Sequence, residues 1–80
     1  MTRLGKIFDD RLDQVEESLD LATTTRDLCR VIDHQQMIDH LAYDCYMSGL
    51  ISEDDMHQLQ ERLQHITHGW IHAEVKDAAI

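Results

Sequence analysis

The stretch Ser48-Gly49-Leu50-Ile51-Ser52-Glu53-Asp54-Asp55-Met56 decides the fold. Gly49 stands where a helix ends in a left-handed residue, because a residue without Cβ takes positive φ at no steric cost. Leu50 follows where a Schellman turn places its hydrophobic contact, with Cys45 as the other half. Ser52 reads as the next N-cap, with Asp55 completing an imperfect capping box and Ile51 and Met56 spaced as a hydrophobic staple. Glu53, Asp54 and Asp55 suit the positive end of a helix dipole. A helix stop followed at once by a helix start predicts a tight antiparallel hairpin.

Downstream of that turn, Met56, Leu59, Leu63, Ile66, Trp70 and Ala73 step by three and four, an a/d seam that predicts a helix over 53–76. Gly69 interrupts the seam at a cost of about 1 kcal/mol relative to Ala and favours a kink or an early end. Upstream, Leu28, Val31, Ile38, Leu41, Ala42 and Cys45 keep helical spacing over 25–48, with Gln35 as one polar position in the stripe. Thr24 and Asp27 fit the Ser/Thr-x-x-acid start of that helix. Before it, Leu4, Phe8, Leu12, Val15, Leu19 and Ala22 make the core face of a helix over 2–22, and Thr23, Thr24 and Thr25 break the pattern. Residues 48–56 are locally similar to the helix-turn-helix of short bacterial helical domains of the SHOCT type.

The expected architecture is all-α, a three-helix bundle in a single domain over 1–80, with the first helix packed across the hairpin. Pro is absent and Gly occurs three times, so no sheet is expected. A chain of 80 residues builds a thin core. The seam of Met56, Leu59, Leu63, Ile66 and Trp70 therefore reads as the contact of a coiled-coil-like homodimer, with a monomeric bundle as the alternative.

The formal charge of −9 argues against direct binding to phosphates and for a partner protein with a basic surface. Its plain alternative is solubility. No apolar run approaches a membrane span and the N-terminus lacks a signal-like stretch, so the expected location is the cytoplasm. Cys29 and Cys45, sixteen positions apart on one helix, lie about 24 Å from each other and cannot pair. Both are expected to be buried, reduced thiols.

Asp9, Asp10, Asp13, Glu16, Glu17 and Asp20 gather on the side of the first helix opposite its apolar stripe, with no Lys or Arg expected among them. Carboxylates three and four residues apart sit about 5–6 Å from each other, comparable with phosphates along a strand, so this face suits a basic groove built for nucleic acid. A solvated face and a divalent-cation site are the competing readings. Tyr43 and Tyr46 are candidate partner contacts, although one helix cannot turn both toward the same neighbour.

His65, His68 and His72 share one side of the third helix, with His57 and Glu61 extending it, but the sequence lacks His-Glu-x-x-His and a full tetrahedral set. Their expected place is beside the seam, where protonation near pH 6 weakens an assembly. His34 and His40 with Asp33, Asp39 and Asp44 supply acid and base groups but no nucleophile or phosphate loop accompanies them. No catalytic residue, metal or cofactor is assigned.

The function expected is that of a small acidic inhibitor or regulator, of the phage or plasmid type, docking on a host protein. Two alternatives stand beside it. One is a dimeric hairpin regulator binding RNA or DNA through Arg3, Lys6, Arg11, Arg26 and Arg30, and the other is a structural oligomerisation domain.

Overall fold

The computed structural model describes residues 1–77 and contains α1 (Arg3–Leu21), α2 (Thr25–Met47) and α3 (Glu53–Ile71), with no strand among the described residues. Each helix packs on both others in a rod of 44 × 17 × 15 Å. Thr2 bonds Asp55 at one end, and Leu19 lies against Gly69 toward the other, so α1 and α3 run parallel with α2 antiparallel between their ends. The first helix thus lies along the hairpin and not across it. No helix among the described residues is long and apolar enough to cross a membrane.

The helix ends follow the local signals. Thr2 Oγ1 accepts the Gly5 N–H at 3.1 Å, Thr24 Oγ1 accepts the Asp27 N–H at 3.1 Å, and Ser52 Oγ accepts the Asp55 N–H at 3.1 Å. Each cap satisfies a donor that the helix itself cannot. Asp27 closes its box by accepting the Thr24 N–H at 3.3 Å. Gly49 sits at φ 75°, and the Leu50 and Gly49 N–H groups donate to the Cys45 and Tyr46 carbonyls at 2.8 and 3.0 Å. This is the Schellman pattern of bonds. Leu50 itself stays 61% exposed, so the turn rests on its backbone bonds, while the Ile51–Met56 staple is buried.

Phe8, Leu12 and Val15 from α1 meet Val31, Ile38 and Ala42 from α2 and Ile51, Met56, Leu59, Leu63 and Ile66 in one core. At about 25 cal/mol per Å² this apolar burial is the main stabilising term. Met56, Leu59, Leu63 and Ile66 thereby find their helix partners within the chain, and Trp70 packs at the core's edge. The seam expected to hold a second copy is filled by α1 and α2, because the third helix in a bundle this narrow has neighbours on both flanks.

Gln35, the polar residue of the stripe, is buried with every group paired. Its amide N–H groups donate to the Leu63 carbonyl at 3.0 Å and to Thr67 Oγ1 at 2.9 Å, and its oxygen accepts the Trp70 indole N–H at 2.6 Å. A buried amide satisfied in this way costs little and fixes the α2–α3 register.

Three expectations are corrected. Leu41 is 49% exposed, because it lies about 100° around the helix from Ala42, and the narrow core takes only the Val31, Gln35, Ile38, Ala42 stripe. Cys29 is exposed rather than buried, while Cys45 is half-buried and both are free thiols. The third helix ends at Ile71 with His72 as its C-cap, short of the expected 76. Past it the chain folds back on the α1–α2 junction. The Lys76 N–H donates to the Thr23 carbonyl at 2.8 Å, and the Asp77 carboxylate accepts the Thr25 N–H at 2.6 Å and its hydroxyl at 3.0 Å. An acid from 52 positions away thus serves the start of α2, which no local pattern announces.

Candidate functional site

The six carboxylates of α1 divide into two sets once α3 packs beside them. Asp9 and Glu16, half-buried, face α3. The Arg62 guanidinium donates to Asp9 Oδ1 at 2.8 Å, to the Asp9 carbonyl at 2.8 Å and to Glu16 Oε1 at 2.9 Å, and lies 2.9 Å from Asp13 Oδ1. Asp9 and Arg62 are each 25% exposed and Asp13 is 65% exposed, so the pair is sheltered while Asp13 leans in from solvent. Burial works against the Arg62 charge, but the hydrogen bonds it donates to Asp9 and Glu16 outweigh it and hold the guanidinium firmly protonated, above its ordinary value. Lys6 adds a second cation, 3.1 Å from Asp10 and 3.7 Å from Asp9, and its hydrogen bond to Asp10 raises its pKa. Two cations therefore sit on a face expected to have none: Lys6 one turn before Asp10 on α1 itself, and Arg62 delivered from α3.

What is left outward is a ridge of Asp10, Asp13, Glu17 and Asp20, all exposed. They step by three, four and three along α1, so eleven residues of helix carry four carboxylates over about 15 Å. Glu17 and Asp20 make no ion pair among the described residues. The ridge stands on a rigid helix whose other flank is pinned by Arg62, and it remains strongly acidic.

The N-terminus of α1 is tied down by a residue read from the sequence only as a capping acid. Asp55 is 2% exposed and turns away from the Ser52 N–H. Its Oδ2 instead accepts the Thr2 N–H at 2.9 Å and the Thr2 hydroxyl at 2.5 Å. These bonds, with the Thr2 hydroxyl first, lower the Asp55 pKa against the opposing effect of burial. Gly5 makes the approach possible, since a Cβ there would lie 2.7 Å from Asp55 Oδ2.

Tyr43 and Tyr46 separate as one helix requires: Tyr43 is half-exposed and Tyr46 packs against the core. With Glu53, Met56, His57 and Gln60 they line a shallow depression of about 170 Å³. The Arg62 cluster lines another, of about 370 Å³, with Gln58, Glu61 and His65. The two lie on opposite flanks of α3, so the acids and tyrosines do not form one continuous surface. A third depression, about 460 Å³, is walled by amides, Asp39 and Trp70 between α2 and α3.

The histidines stay outside the core seam. His57 lies 3.3 Å from Glu61, both exposed, and the rings of His68 and His72 meet edge to face at 4.5 Å. Among the described residues no three His, Cys, Asp or Glu side chains converge as a metal-holding group.

The fold and this surface define a short all-α rod with an acidic ridge. No protein-family model, no curated protein and no solved structure matches the chain.

Proposed function

We propose that this protein is a binding module that docks on a partner protein with a basic surface and blocks or modulates it, without catalysing a reaction. The observation that carries this reading is the ridge of Asp10, Asp13, Glu17 and Asp20, all exposed on a helix held on its other flank by Arg62. Like charges at steps of three and four repel and reduce helix stability. Lys6 and Arg62 offset part of that repulsion at Asp10 and Asp13, while Glu17 and Asp20 make no ion pair among the described residues, and a cationic partner would neutralise them. At about 5–6 Å per step the row is spaced like phosphates, so a groove that binds DNA or RNA is the favoured target.

The test compares the wild-type chain with a variant carrying Asp10→Lys, Asp13→Lys, Glu17→Lys and Asp20→Lys as affinity baits in a bacterial lysate. Capture of a nucleic-acid-binding protein by wild type alone, reversed by added duplex DNA, is the expected result. Equal capture by both baits, or direct retention of nucleic acid by the wild-type chain, sinks the reading.

A further inference from the structure

A second surface lies on the other flank of α1, away from the acidic ridge. Ile7, Met37 and Leu41 are 48%, 53% and 49% exposed, and they border one concavity of about 220 Å³ floored by Phe8 and Ile38. Arg11 and His34 complete its lining, so three half-exposed apolar side chains share one hollow with two basic groups.

The pattern of charge along α2 bears on what could cover it. Arg26, Arg30, Asp33, Met37, His40 and Asp44 are all exposed and step by four, three, four, three and four, a polar row facing outward with Met37 as its one apolar residue. Arg26 and Arg30 lie toward its start and Asp44 toward its end. None of these three makes an ion pair among the described residues. A like helix laid antiparallel and centred on Met37 places Arg30 seven residues before the centre against Asp44 seven residues after it, twice by symmetry. Asp33 then falls beside His40 and Leu41 of the second copy, and Met37 meets its own equivalent. Laid parallel, Arg30 faces Arg30 and Asp44 faces Asp44, which is repulsive. The charges therefore select the antiparallel arrangement, and a two-fold axis makes the contact self-complementary.

We infer that the α1–α2 face is the interface of a symmetric homodimer, with α2 antiparallel to α2 of a second copy and the dyad at Met37. This contact leaves the acidic ridge free, so it neither requires nor excludes docking on a basic partner.

Sedimentation equilibrium of the full chain across micromolar to submillimolar concentrations tests it, with circular dichroism to verify folding of each variant. Wild type should dimerise and Met37→Asp should remain monomeric. R30D should weaken association by about tenfold, since it sets two like-charge pairs across the interface, and the double variant R30D/D44R should restore it, since the swap re-forms both pairs in reverse. Rescue by the swap is specific to a second copy of this chain. A wild type that stays monomeric throughout, a dimer that survives Met37→Asp, or a swap that fails to rescue overturns the inference.

Discussion

The two flanks of α1 show opposite solutions to the same problem of covering a helix. On the α3 side its polar groups are consumed within the chain: Arg62 holds Asp9 and Glu16, Asp55 holds Thr2, and Gly5 lets the backbones close. On the α2 side Ile7, Met37 and Leu41 stay half-exposed around an open hollow, and Arg30 is unpaired among the described residues. A closed flank contributes to stability and an open one leaves chemistry for a partner. The contrast teaches that charge count alone misplaces the interaction surfaces, since two of the six carboxylates of the acidic face turn inward to Arg62.

The sharpest way to break the comparison is at the closed flank's tightest point. Gly5→Ala should destabilise the fold by about 1–3 kcal/mol through overpacking against Asp55, despite the better helix propensity of Ala. That is a drop of several degrees in Tm by thermal unfolding, and an unchanged or raised Tm would show that Asp55 moves aside freely.

Next in size is Arg62→Ala, expected to cost about 1–2 kcal/mol after allowing for solvent around a partly buried cluster. The matched change on the open flank, Arg30→Ala, should stay within about 0.5 kcal/mol in dilute protein. Urea unfolding of both variants under the same conditions gives the difference directly. Equal losses would erase the distinction between the flanks.

The smallest expected effect is in the acid limb of stability. Asp55, Asp27 and Asp77 all have lowered pKa values, from hydrogen bonds donated by Thr2, Thr23 and Thr25 respectively, with Thr24 also donating to Asp27. A carboxylate depressed in the folded state binds its proton more readily when unfolded. Its contribution is therefore fully present above about pH 4, the unfolded value, and fades as pH falls through the lower folded value. Asp55→Asn should flatten this part of the profile while keeping an acceptor near Thr2. A denaturation midpoint for D55N that falls between pH 5 and pH 3 as steeply as wild type would remove Asp55 from the account.

Much of the closed flank was hidden from sequence reading for a definable reason. Arg62 sits 53 positions from Asp9, and its direction around α3 becomes meaningful only when α1 is known to run parallel to that helix. Lys6, by contrast, was legible: four residues before Asp10 places it on the same side of α1. From sequence Asp55 reads as serving its own helix start, because capping is the commonest role for an acid three residues after Ser52, and only Gly5 in the facing turn points to a longer reach. The exposure of Leu41 was a matter of width. An apolar residue one step off the stripe is buried in a broad core and left out of a narrow one.

By itself the sequence determined what depends on neighbours within about one helical turn. The caps at Thr24 and Ser52, the left-handed Gly49 and the apolar stripes all act over three or four residues, where chain connectivity supplies the proximity. The tertiary structure alone decided which flank of each helix meets which neighbour. That choice put Arg62 among the carboxylates of α1, buried the seam of α3 inside the chain, brought Asp77 back to Thr25, and left the row from Asp10 to Asp20 and the patch around Met37 facing outward. Such contacts join residues about fifty positions apart, and their energy is realised only after the helices have packed, so periodicity along the chain carries no record of them.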